Sequence, residues 1–232
     1  MRAEVHLQIG RLLMKQAPAD ERNDNLFDVV NQLNRGAALL SDLDEKRRVA
    51  ELNLRAGKKA KASTAYAAAC TYLSAGIALL DRGDWESRYR LVFDLWLLRA
   101  ECEFLRGDFD EAARLNSELI KRAASKTDKA AAYRLRIDFH IMKSAYHEAV
   151  DNALECLRFF GIDMPAQPSW ERVNDEYEQV WRNLGARSIE SLVDLPRMTD
   201  PEIQAANFHG SGFETSKLHQ LHRDVAAAVS VA

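Results

Sequence analysis

Gly57-Lys58-Lys59 ends the way a phosphate-binding loop ends, which makes it a first place to look for chemistry in this sequence. Such a loop needs a glycine five residues before Gly57 and a Ser or Thr after the lysine, so that a row of backbone N–H groups can cradle phosphates. Leu52 and Lys59 stand there instead, and a basic helix face is the reading that remains. His222-Arg223-Asp224 spells the opening of a protein-kinase catalytic loop, but the downstream asparagine, a glycine-rich loop and an Asp-Phe-Gly are missing. His209, His219 and His222 lack convincing third and fourth metal partners and read as structural or solvated side chains. His6, His140 and His147 are isolated, none near a plausible nucleophile in sequence. The three cysteines, Cys70, Cys102 and Cys156, are odd in number and far apart, which favours buried thiols over a disulfide framework or a zinc site. No residue is therefore assigned a catalytic, cofactor-binding or metal-binding role, and no enzymatic activity is expected.

The surrounding elements read as helices throughout. Of 232 residues 47% are hydrophobic and 29% charged, with 10 Gly and 5 Pro, a balance that suits long helices better than a turn-rich β fold. Apolar residues at helical spacing place helices at 3–15, 23–40, 44–58, 62–80, 86–105, 109–124, 128–142 and 146–160. After the proline-bounded link 163–169, Trp170, Val173, Tyr177, Val180, Trp181 and Leu184 mark a ninth helix, followed by short helices near Ser188 to Val193 and from Asp200-Pro201. The 32 Lys and Arg against 35 Asp and Glu leave a formal charge of -3, so nothing global advertises a nucleic-acid or anionic-membrane partner. No apolar stretch approaches a bilayer span and the N-terminus lacks the order of a secretion signal, from which cytoplasmic residence is expected.

A repeat underlies these helices. Gly107-Asp108-Phe109-Asp110-Glu111-Ala112 has the glycine stop, the aromatic wedge and the small residue of a tetratricopeptide unit, and Tyr146-His147-Glu148-Ala149 repeats it with Ser144 in the glycine position. Fainter copies centre on Ala68, Tyr72 and Ala75 and on Phe27, Val30, Asn34 and Ala37. The fold class expected is all-α, a tetratricopeptide-like right-handed array of antiparallel helix pairs, with four degenerate pairs over 1–162, closing helices over 163–206 and a divergent, disordered tail over 207–232. Such arrays bind peptides along the face made by the first helix of each pair. In that register Asn53, Arg99, Glu103 and Arg136 are expected to be exposed partner contacts. The basic stretch from Arg47 to Lys61 is expected to be a solvated face with Asp44–Arg48 and Glu51–Arg55 pairs, or a docking patch containing Lys58 and Lys59. Trp85, Tyr89, Phe93 and Trp96, at spacing four, four and three on one helix, read as core, with the lining of a ligand groove as the alternative.

The runs Phe27-Asp-Val-Val-Asn-Gln-Leu-Asn34 and Ala50 to Tyr66, with Leu98 to Phe104, Tyr133-Arg-Leu-Arg-Ile137, Leu157 to Pro165 and Ser188 to Ile203, resemble the helical region of large bacterial predicted ATPases. Those proteins are described as trifunctional serine/threonine kinase, ATP-binding protein and sensor histidine kinase. The resemblance covers about residues 3 to 206. It implies a scaffold whose partners are ATPase or kinase modules of the same signalling system. After Ala206 the sequence departs from that family, from which a truncated or rearranged gene product is expected. The family's own catalytic motifs lie in modules that match nothing in this sequence, so no catalytic residue carries over. Retention of the family's ATP-binding or protein kinase function is the alternative.

Overall fold

In this computed structural model, residues 1–16, 25–194 and 199–206 are described; His209, His219, His222 and the tail expected over 207–232 lie outside them. The described residues form helices and turns with no strand. The chain divides into two units, Met1–Arg122 and the remainder from Ala123, whereas the sequence pattern puts its break at the link after residue 162.

The first unit holds three helix pairs. They are α1 (Arg2–Gln16) with α2 (Leu26–Arg35), α3 (Leu43–Ala62) with α4 (Tyr66–Ala78), and α6 (Tyr89–Leu105) with α7 (Phe109–Arg122); a single turn, α5 (Asp84–Ser87), precedes α6. On α3 the buried positions Val49, Asn53, Ala56 and Ala60, with Ala50, Leu54 and Gly57 beside them, advance by three or four and so form one helical face. Asp42 caps that helix, its carboxylate accepting the Glu45 N–H at 2.7 Å. α3 packs on α2 and α4, and α6 packs on α3, α4 and α7. One core cluster joins Ala50 and Leu54 of α3 to Ala69, Cys70 and Leu73 of α4 and to Leu95 and Cys102 of α6. The helix expected at 86–105 breaks at Arg88, yet the rings stay in contact across the break: Trp85 lies 6.2 Å from Tyr89 and 5.8 Å from Trp96, centroid to centroid, with the Arg122 guanidinium 5.1 Å from the Trp85 ring.

The second unit holds α8 (Lys126–Met142) paired with α9 (Tyr146–Arg158), then α10 (Trp170–Leu184), a 3-10 segment Ile189–Asp194, and α11 (Pro201–Ala206), which packs on α8. Ser125 is the cap of α8: its hydroxyl accepts the Asp128 N–H at 3.1 Å. Ser169 caps α10 in the same way, accepting from the Arg172 N–H at 3.2 Å.

Three turns share one geometry. Thr64 and Ser144, both at φ 56°, and Gly107 at φ 90° adopt the left-handed conformation. The next residue's N–H reaches back five residues each time: Ala65 to the Ala60 carbonyl, Asp108 to Glu103 and Ala145 to His140, at 2.8 to 2.9 Å. An aromatic residue follows two positions on and a buried alanine five positions on, as Tyr66 and Ala69, Phe109 and Ala112, Tyr146 and Ala149. The small residue of α4 is thus Ala69, not Ala68: the expected register is one residue, about 100°, out of phase. A β-branched residue in the left-handed region is strained and glycine is not. Thr64→Gly should therefore raise, and Gly107→Thr lower, the stability read by urea unfolding, each by about 1 kcal/mol; the reverse order would remove the equivalence of the turns.

Candidate functional site

The register of α4 decides which side chains are left for solvent. With Ala69, Leu73 and Gly76 turned inward, Ala68, Thr71, Tyr72 and Ala75 form the next strip, and with Asn31, Asn34 and Arg35 of α2 they line an open groove of about 380 Å³. Its wall is pinned by rings: Tyr72 stacks on Phe27 at 5.5 Å with an interplanar angle of 23°, Lys59 lies 5.4 Å from the Phe27 centroid, and the Tyr72 hydroxyl donates to Asn31 Oδ1 at 3.2 Å. Behind it, Asn34 and Asn53 exchange two hydrogen bonds, Nδ2 of each donating to Oδ1 of the other at 2.8 and 2.9 Å, and Asn53 also donates to the Val49 carbonyl at 3.0 Å. Asn53 is completely buried, which corrects its expected exposure: an amide here needs partners in place of water, and Asn34 supplies them. The groove thus offers amides, hydroxyls and the Arg35 guanidinium, groups that grip a polypeptide backbone and an acidic side chain.

Two further expected contacts lie in a separate charged network. Glu103 is buried, which corrects its expected exposure as well; Arg106 Nε stands 2.9 Å and Arg99 Nε 3.5 Å from its two oxygens. These are charge contacts, since neither Arg99 Nε nor Glu103 Oε2 has an aligned hydrogen bond. Arg99, half-buried, donates through Nη2 to Glu111 at 2.9 Å. The Arg114 guanidinium hydrogen-bonded to Glu111 holds that carboxyl below the usual range, with Arg99 adding to the effect. Arg136, in the second unit, is half-buried with its guanidinium 5.7 Å from the Tyr133 ring. Lys58 is exposed and Lys59 half-buried.

Both ends of the basic stretch hold α3 in place. Arg47 Nε donates to the buried Asp84 at 2.8 Å and Lys61 to Glu101 at 2.6 Å, while Asp44 meets Arg47 at 3.5 Å rather than the expected Arg48. Burial acts to raise the Asp84 pKa, but the Asp81 N–H and Arg47 outweigh it and keep the carboxyl below its usual range. Glu45 takes a bidentate pair from Arg11, 2.7 Å at each contact. The three cysteines are free and buried, as expected, and burial pushes Cys70 up to about 11 and Cys102 and Cys156 up to about 12. Among the described residues no group of three or more His, Cys, Asp or Glu is placed to hold a metal, and no helix is long and apolar enough to cross a membrane.

The chain is similar to a hybrid signal transduction histidine kinase G of Dictyostelium discoideum, 24% identical over 214 residues. The match takes in 82% of this chain and 6% of that protein. No protein-family model matches, and no solved structure gives a significant match. The relationship is therefore a distant one to a signal transduction kinase, over a small part of its length.

Sequence reasoning missed Asn31, Arg35 and Thr71. The signal was present: Asn31 and Arg35 lie opposite the apolar face of Val29, Val30 and Leu33 and Asn34 lies at its border, but which neighbour faces them depends on the α4 register. Removing one member of the amide pair strands the other. Asn53→Leu should cost about 1–3 kcal/mol in denaturant unfolding, and Asn34→Leu added to it should cost less than the two single changes summed; strict additivity would show that the amides do not act as a pair.

Proposed function

We propose that this chain is a non-catalytic, tetratricopeptide-like array of helix pairs serving as a protein-contact scaffold in signal transduction. The observation that carries the reading is the turn used at Thr64, Gly107 and Ser144, each followed at equal distances by an aromatic residue and a buried alanine. Repetition of one helix–turn–helix unit is how such arrays build a continuous core from pairs that cannot bury their own faces. Packing within the first unit agrees, since α6 rests on both helices of the preceding pair as well as on its own partner.

Support for a signalling setting comes from the match to a stretch of a hybrid histidine kinase and from the resemblance to bacterial multidomain ATPase and sensor kinase proteins. In this reading the chain is a helical segment of such an assembly, and its partners are the ATPase or kinase modules. The groove between α2 and α4 is the contact surface best built for a polypeptide, because amides and hydroxyls satisfy backbone groups and Arg35 takes an acidic side chain. Lys58, Arg99 and Arg136 stay as secondary contacts.

Purified chain titrated with separately produced ATPase and histidine-kinase modules of the bacterial proteins it resembles should bind at least one saturably. Ala75→Arg, which fills the groove, and Arg35→Glu should each weaken that binding by roughly tenfold. Failure to bind either module, or saturable ATP binding that Lys58→Ala abolishes, would contradict the proposal.

A further inference from the structure

A different surface, on α10, has no role in the reading above. Trp170, Val173, Tyr177, Val180 and Leu184 recur at spacing three, four, three, four, the heptad pattern of a helix that packs along another helix. None of the residues of α10 is buried: Trp170 is 82% exposed, Tyr177 55%, Trp181 43% and Val173 38%. The Tyr177 and Trp181 rings meet edge to face at 5.9 Å, so the stripe is ordered by its own side chains. Apolar area of this kind left in water is a binding surface, not a neutral decoration.

Charge says what covers it. On the helical wheel Glu176 borders the stripe on one side and Glu178 and Glu171 border it on the other, with Asp175 behind. Arg172 is turned to the Asp163 carbonyl at 3.1 Å and Arg182 to the Glu178 carbonyl at 3.4 Å, and none of the four carboxylates forms an ion pair among the described residues. A second copy of α10 would set carboxylates beside carboxylates, and an anionic bilayer would repel them. We infer that α10 is a docking stripe for a basic amphipathic helix, one with an apolar heptad seam flanked by Lys or Arg. Aromatic anchors in the centre supply the affinity and the bordering carboxylates choose the partner.

The test uses the full chain and two synthetic 18-residue helical peptides with the same leucine seam, one flanked by Lys and the other by Glu. Fluorescence anisotropy should give saturable binding of the Lys peptide, at least about tenfold tighter than the Glu peptide and weakened by added salt. Reversal at three exposed positions, Glu171→Lys with Glu176→Lys and Glu178→Lys, should invert that preference without changing the far-UV circular dichroism of the rest of the fold. Tyr177→Ala with Trp181→Ala should lose roughly tenfold for the Lys peptide. Binding of neither peptide, equal binding of both, or an unchanged preference after charge reversal would overturn the inference. So would concentration-dependent self-association that Trp181→Asp abolishes, or binding to phosphatidylserine-containing vesicles in place of the peptide.

Discussion

The close approach of α1 to α2, of α3 to α4 and of α4 to α6 is the constraint on which the first unit depends, and it is set by positions with no side chain. A Cβ added at Gly36 would stand 2.6 Å from Leu7 Cβ and 2.9 Å from the Ala3 carbonyl oxygen; one at Gly57 would stand 2.6 Å from Leu73 Cδ2; one at Gly76 would stand 2.9 Å from Leu95 Cδ2. Leu73 and Leu95 are both fully buried, so each fills a notch that the glycine opposite leaves open. Glycine inside a helix ordinarily costs stability. Here the interdigitation it permits outweighs that cost, because a buried leucine makes dozens of contacts that a wider spacing forfeits.

That spacing dictates the polar chemistry as well. Asn53 lies so near α4 that a Cβ at Gly76 would come within 3.0 Å of its own Cβ, which leaves no room for water and makes the reciprocal amide pair with Asn34 obligatory. The pair in turn fixes α2 against α3, and the groove in front of it owes its wall to Tyr72 stacked on Phe27. Glu103 is carried inward by the same helix that buries Ala100 and Cys102, and Arg99 and Arg106 attend it from one turn before and one turn after. Ion pairs outside the core, Arg11 with Glu45 and Lys61 with Glu101, then tie α1 to α3 and α3 to α6.

Most helices were legible in the sequence because local physics places them: the period of apolar residues, the Asp42 cap, Gly107 at a turn and Pro201 in a first helical turn all act within a few residues. The α4 register was not, because Ala67, Ala68 and Ala69 are interchangeable by type and the choice between them is made by Leu54, Leu95 and Cys102, which come from other helices. The burial of Asn53 and Glu103 escaped for a related reason. A polar side chain signals a surface unless its partner is known, and Asn34 stands 19 residues away from Asn53. The break at Arg88 was hidden because the ring spacing continues through it, with Trp85 and Tyr89 still in contact. What the site could be was therefore less legible than what the helices are, since contacts across helices and not sequence neighbours decide it.

Glycine notches, not helix propensity, hold α4 at this distance from α3 and α6. Urea unfolding of Gly57→Ala and Gly76→Ala tests it directly. If the notches govern, each substitution lowers stability by about 1–3 kcal/mol through overpacking against Leu73 or Leu95. A gain of about 1 kcal/mol, the ordinary return on replacing a mid-helix glycine by alanine, would contradict it.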